Sequence, residues 1–283
     1  MHAHRYLHLL LTSVLSGLLL SGCAGIPATP TSEPTIASTP TSASETKPEL
    51  EKYFQGFPGT FVLYDLNANR YIRYNPEGSS KGFLPASTFK IMNSLIGLET
   101  GVIPDENYVI KWDGTQYENP AWNQDHTLKT AFQNSVVWYY QELARRVGRE
   151  KMQQYVDLAG YGNGDISGQI DTFWLEGGLR ISADEQVELL KRLYQDDLPF
   201  SQRSMNIVKD IMMVEKTGDY QLRGKAGTAV SGTSHVGWFV GYLEEKGNAY
   251  FFATNIQSQG SDATGVKAKE ISLDILQGLN LLP

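Results

Sequence analysis

Strand-like runs stand at both ends of the globular part of this chain, and helical periods fill the middle. Near its start, "GTFVLYDLNANRYIRYN" carries two β-type runs around "LNAN", which reads as a hairpin. In the C-terminal third, "DYQLRGKAG", "HVGWFVGYLEE" and "NAYFFATNIQ" read as three successive strands, the last two joined by a tight "EKGN" turn. Between them lies an apolar helix from Ser87, stopped by Gly101 and Pro104, and then a polar, aromatic loop from Trp112 to Asp125. "LKTAFQNSVVWYYQELARRVG" reads as one helix ending at Gly148, and "REKMQQYVDLAG" as another ending at Gly160. Ser182 and Glu185 form a capping box ahead of "ADEQVELLKRLYQ", and "KAKEISLDILQGL" is a closing helix. This order predicts an α+β fold: an antiparallel sheet that includes both ends of the domain, flanked by helices, with an all-helical lobe inserted.

The N-terminus reads as a targeting segment. "MHAHR" is weakly basic, and the apolar run "YLHLLLTSVLSGLLL" is short for a membrane span. It ends in Leu20, Ser21, Gly22 and Cys23, which resembles a bacterial lipobox. Residues 1–22 are therefore expected to be a lipoprotein signal peptide and Cys23 the lipidation site, against the plainer reading of an ordinary signal peptide ending near a cysteine. Residues 23–48 are rich in Pro, Thr and Ser and cannot form a core, so they read as a tether reaching about 75 Å if extended. Residues 49–283 are left as the folded domain, held outside the cytoplasm at the outer face of a cell membrane or in a periplasmic leaflet.

Composition removes several chemistries. Cys23 is the sole cysteine, so the folded part has no disulfide and no thiol nucleophile. His2, His4 and His8 leave with the signal, His126 and His235 remain, and no metal-ligand spacing accompanies them. A net charge of −7 argues against nucleic acid as a partner. Catalysis, if present, rests on Ser, Lys, Tyr, Asp or Glu.

That places weight on Lys90. It sits near the start of the apolar helix, and no acid follows it until Glu99. A buried, unpaired ammonium costs several kcal/mol and gives up its proton. Ser87-Thr88-Phe89-Lys90 is Ser-x-x-Lys, with the two side chains on one helical face, and a neutral amine is a competent base for a serine. The backbone N–H groups at a helix start suit an oxyanion. The spacing alone is weak, and Ser44-Glu45-Thr46-Lys47 in the tether repeats it without any geometry to hold it. Three further pieces accompany it: Ser135-Val136-Val137 in a helix, Tyr161-Gly162-Asn163 in a turn, and Lys225-Ala226-Gly227 at a strand end. Taken singly, these read as a helix serine, an ordinary turn and a strand-end lysine.

Taken together, Ser-x-x-Lys, Ser-x-Val, Tyr-Gly-Asn and Lys-x-Gly, in this order and with the stretch "YGNGDISGQIDTFWLEGGLRIS", resemble the class D (oxacillinase-type) serine β-lactamases from about Gly59 to Leu282. The resemblance implies the penicillin-binding transpeptidase type of fold and hydrolysis of the cyclic amide of penicillin-type antibiotics through an acyl-enzyme on Ser87. It implies no cofactor other than CO2, carried by Lys90 as a carbamate that serves as general base in acylation and deacylation. Ser135 and Lys225 would be catalytic, and Trp174 would donate its indole N–H to the carbamate. The N–H groups of Ser87 and Thr228 would form the oxyanion hole. Val137, Leu175, Ala226, Gly227 and Lys267 would line the substrate site, Val137 and Leu175 with Phe89 giving Lys90 apolar surroundings.

Two departures are visible. Members of the family usually carry Thr or Ser where Ala226 stands, and an arginine beyond it; no arginine follows Arg223, which leaves Lys267 or Lys269 for a substrate carboxylate. A literal Lys216-Thr217-Gly218 falls in a turn before the strand. Two other readings stay open: a lipid-anchored penicillin-binding or sensor protein that deacylates slowly, and a binding protein with no catalysis. The G-x-S-x-G at 78–82 would suit an α/β-hydrolase, but it lacks the strand and helix that motif requires. The sequence leaves open a homodimer, the substrate range and the type of cell envelope.

Overall fold

The computed structural model describes residues 45–46 and 48–283; the signal segment, Cys23 and most of the spacer lie outside the described residues. The folded part begins within the expected tether: β1 (Glu45–Thr46) pairs in parallel with a later strand, and a 3-10 helix runs from Pro48 to Phe54. The hairpin follows as β2 (Gly59–Asp65) and β3 (Arg70–Tyr74), closed by a turn in which Asn69 takes a positive φ. A one-turn helix, α1 (Pro76–Ser79), precedes a 3-10 turn over Ala86–Phe89 that runs directly into α2 (Lys90–Glu99).

The helical lobe continues through a small pair of strands, β4 (Val109–Ile110) and β5 (His126–Thr127), which brackets the aromatic loop. Then come α3 (Leu128–Gln133), α4 (Val137–Val147), α5 (Arg149–Ala159), α6 (Ala183–Tyr194) and α7 (Gln202–Ile211). The chain returns to the sheet with β6 (Met213–Lys216), β7 (Tyr220–Ser231), β8 (Ser234–Glu245) and β9 (Asn248–Ser258), and ends in α8 (Gly265–Gly278). The sheet order is β1-β3-β2-β9-β8-β7-β6, antiparallel apart from β1. Strands from the two ends of the domain thus meet at β2–β9, as the α+β reading expects.

Strand alternation divides the core into two. Val62, Tyr64, Val240, Tyr242, Phe251 and Ala253 point into the cluster shared with α6 and the helical lobe. Phe61, Leu63, Phe239, Leu243, Phe252 and Ile256 point the other way, onto Ile271 and Ile275 of α8.

Two expectations need correction. Residues 128–147 form two helices rather than one: the chain breaks at Asn134–Val136, and Ser135 takes φ 54°. Lys225-Ala226-Gly227 lies in the middle of β7 rather than at a strand end, because pairing with β8 continues unbroken to Ser231–Ser234. The glycine there marks a close approach, not a stop.

Candidate active site

The nucleophile candidate stands on a strained turn. Ala86 has φ 49°, a left-handed conformation disfavoured for any residue with a Cβ. It is fully buried and fixed by its own N–H, which donates to the Trp174 carbonyl at 3.0 Å. The next residue, Ser87, sits in the 3-10 turn, so its Oγ and the Lys90 Nζ are three residues apart and eclipsed. A 2.7 Å hydrogen bond joins them. Behind the turn, Gln186 of α6 donates from Nε2 to Thr88 Oγ1 (2.8 Å), and Thr88 Oγ1 donates to the Pro85 carbonyl (2.7 Å).

Lys90 is wholly inaccessible to solvent. The Tyr140 ring centroid lies 5.2 Å from Nζ, and the Phe89, Phe173 and Trp174 rings pack on one another beside the turn. Burial first, and the Lys225 charge second, hold the Lys90 amine well below the usual lysine range. No carboxylate partner offsets this among the described residues. The Trp174 indole N–H is likewise buried and has no acceptor among the described residues. An orphaned buried donor costs about 1–3 kcal/mol unless an acceptor other than the polypeptide meets it.

Lys225 and Ser135 close the cluster from the opposite side. Lys225 Nζ donates to Ser135 Oγ at 3.0 Å and to its neighbour's carbonyl, Ala226 O, at 2.9 Å. Burial lowers the Lys225 ammonium to about 7. The positive φ at Ser135 lets its hydroxyl face β7 instead of continuing a helix.

Strand alternation then assigns the N–H groups. Pairing of β6 with β7 reaches only Arg223, and Gly224 N donates to Met212 O at 2.9 Å on that same side. Ala226 and Thr228, two and four residues on, aim their N–H groups to the same edge, where no strand covers them. On the face with Lys225, a Cβ at Gly227 would stand 2.9 Å from Ser87 N and 3.1 Å from Thr88 N. The bare glycine is what lets the 3-10 turn lie against the strand. The Thr228 hydroxyl is occupied elsewhere, accepting from Gly265 N at 2.8 Å.

A cleft of about 340 Å3 runs along this open edge, lined by residues that include Phe132, Met213, Lys225, Ala226, Phe239 and Lys269. Ala226 offers it no hydroxyl. Val137, at the start of α4, and Leu175, next to Trp174, are half-buried. Lys267 is paired by its Nζ with Glu270 (3.1 Å), one turn along α8. The residue of that helix that enters the cleft is Lys269. Gln186 and Ala86 were missed in the sequence. Gln186 could have been found as a polar residue at a position of α6 flanked by the buried Ala183, Val187 and Leu190, whereas nothing marks Ala86. The serine of the G-x-S-x-G stretch, Ser80, is exposed and caps α1, its N–H donating to the Gly78 carbonyl, while its neighbour Ser79 is buried and bonded to Asp184 Oδ2 (2.6 Å).

A serine, a buried lysine whose amine is held well below the usual lysine range, and a second serine–lysine pair suit acyl transfer on an α+β sheet. Known proteins give the same assignment. The family model for the penicillin binding protein transpeptidase domain matches residues 47–277. β-Lactamase OXA-48 of Klebsiella pneumoniae is 44% identical over 225 residues, covering 80% of this chain and 84% of the relative. The regulatory protein BlaR1 of Bacillus licheniformis is 41% identical over 226 residues, covering 80% of this chain but 37% of the relative. The crystal structure of the class D β-lactamase YbXI from Nostoc superposes with a TM-score of 0.79 at 48% identity, covering 82% of this chain and 99% of that one. The chain belongs to the penicillin-binding transpeptidase family and, within it, to the class D serine β-lactamases.

Proposed function

We propose that this chain hydrolyses the β-lactam amide of penicillin-type antibiotics through an acyl-enzyme on Ser87, with Lys90 carrying CO2 as a carbamate. The observation that carries the reading is the pairing of a fully buried Lys90 amine, held well below the usual lysine range and 2.7 Å from Ser87 Oγ, with a Trp174 N–H that has no acceptor among the described residues. These residues fit such a group: a neutral amine can attack CO2, and the buried indole N–H supplies a donor to the oxygens that result. Once attached, the group supplies a proton acceptor for serine and water.

The chain's own residues do the rest. Ser87 Oγ attacks the lactam carbonyl carbon. The Ser87 and Thr228 N–H groups take up the developing oxyanion, a contribution of about 10²–10³ in rate per donor. Ser135, held at 3.0 Å by Lys225, is positioned to pass a proton to the departing lactam nitrogen. Hydrolysis of the resulting ester frees Ser87. Trp174, Phe89 and Leu175 exclude bulk water from the amine.

Anchoring through Cys23 at the outer face of a membrane, after loss of residues 1–22, belongs to the same proposal; a homodimer is not required by it. The likeness to BlaR1 favours one alternative, a regulatory-type protein whose acyl-enzyme persists. Counting turnovers of the chromogenic β-lactam nitrocefin per molecule separates them. Many turnovers, with a transient mass adduct on Ser87, are expected; a single stoichiometric burst would point to the alternative.

A further inference from the structure

The turn that carries Ser87 is gripped from behind by buried side chains that take no part in the reaction as described. Thr88 Oγ1 donates its single proton to the Pro85 carbonyl at 2.7 Å, so any further bond to that oxygen must come from a donor. Gln186 Nε2 supplies one at 2.8 Å, reaching in from α6. Gln186 is wholly inaccessible to solvent, and Thr88 nearly so. The Tyr161 hydroxyl enters the same pocket beside Thr88 and Gln186, with its ring edge-on to Phe89 at 5.3 Å. Neither that hydroxyl nor Gln186 Oε1 closes a hydrogen bond among the described residues. A spare donor on Tyr161 thus stands near a spare acceptor on Gln186, which leaves the amide N–H for Thr88.

We propose that Gln186 is a positioning residue for the nucleophile, acting through Thr88 to hold the strained Ala86–Ser87 turn. The inference rests on the reading of Ser87 as the nucleophile. A left-handed Ala86 persists only where its surroundings over-determine it. The backbone before the turn is fixed, because Phe83 and Ile181 exchange two bonds of 2.9 Å and Ala86 N donates to Trp174 O. Past that point, the pair of bonds at Thr88 Oγ1 grips the turn itself, between Ser87 and Lys90. An apolar side chain at position 186 would fill the same space without burying an amide. What the amide adds is a fixed direction for Thr88, and with it for the neighbouring Ser87 Oγ.

The test measures the second-order rate of Ser87 acylation by benzylpenicillin, followed by intact mass, well below each variant's thermal midpoint. Gln186→Met and Thr88→Val keep volume but lose the bond, and each is expected to slow acylation about ten-fold or more, as for a small misplacement of reacting groups. The double variant should be no slower than the slower single one, since both remove the same link. Thr88→Ser keeps the hydroxyl and should stay near the wild-type rate, which a loss of packing would not allow. Wild-type rates in Gln186→Met and Thr88→Val, whatever their thermal midpoints, would overturn the proposal. So would losses that multiply in the double variant, or a Thr88→Ser as slow as Thr88→Val. A fluorophosphonate, which reports serine reactivity without a lactam ring, gives the same comparison if benzylpenicillin leaves the wild type unmodified. The role of Gln186 and the β-lactam reading can thus fail separately.

Discussion

Lys90 Nζ lies 2.7 Å from Ser87 Oγ in a pocket to which solvent has no access, and no carboxylate among the described residues pairs with it. Burial without a carboxylate beside it favours the neutral form of this amine. The aromatic packing of Phe89, Phe173 and Trp174 therefore shapes the chemistry as well as the core.

The first prediction concerns CO2 and pH. Carbamates form from neutral amines and decompose in acid. Activity should fall in CO2-stripped buffer at mildly acidic pH and recover on adding bicarbonate. Steady-state nitrocefin hydrolysis with and without bicarbonate measures this. Identical rates would mean that Lys90 works as a free amine.

Trp174→Phe retains a ring to stack on Phe89 but removes the indole N–H. More bicarbonate should then be needed for half-maximal activity, and deacylation should slow more than acylation. An unaltered bicarbonate requirement would show that the orphaned donor has another use.

Gly227→Ala places a methyl group 2.9 Å from Ser87 N and 3.1 Å from Thr88 N, both backbone atoms. The turn must shift, and the oxyanion pocket with it. The kcat is expected to fall about 10²- to 10³-fold, as for removal of one oxyanion donor, while the thermal midpoint changes modestly. Near-normal kcat would argue against the assigned N–H pair.

Ala226→Thr adds a hydroxyl at the cleft. One extra hydrogen bond is worth about 0.5–1.5 kcal/mol, or about 2- to 10-fold in KM for penicillins. A KM that stays level or rises would mean that the carboxylate does not reach position 226.

Lys225 ties stability to pH. Its ammonium is lowered by burial from 10.5 to about 7 in the fold. Between those values the unfolded chain binds more protons, so stability rises with pH; below about 7 the cost of burying the charge is complete, and above 10.5 it is gone. Urea midpoints across that window should therefore climb in the wild type relative to Lys225→Met. A constant gap between the two would contradict the burial of a titrating amine.

The sheet, its closing helix and the Ser87–Lys90 pair were legible because each leaves a local mark: period-two runs, the Lys246-Gly247 turn with both residues at positive φ, and a lysine in an apolar helix. The break at Ser135 was not. Asn134 and Ser135 neither forbid a helix nor demand a turn, and the positive φ is imposed by packing around Lys225. The interior place of Lys225-Ala226-Gly227 was hidden for a related reason. A glycine reads locally as a stop, whereas here it permits contact with a turn some 140 residues earlier in the chain. Sequence separation likewise concealed Gln186, which braces Thr88 from another helix. The choice between Lys267 and Lys269 depends on the rotation of α8 and on Glu270, neither of which spacing displays.

Carbon-13 NMR of the full chain in labelled bicarbonate bears most directly on the state of Lys90. A protein-bound carbamate signal is predicted, absent in Lys90→Ala and weakened in Trp174→Phe. Wild-type enzyme that turns over nitrocefin at full rate with no such signal would contradict the account.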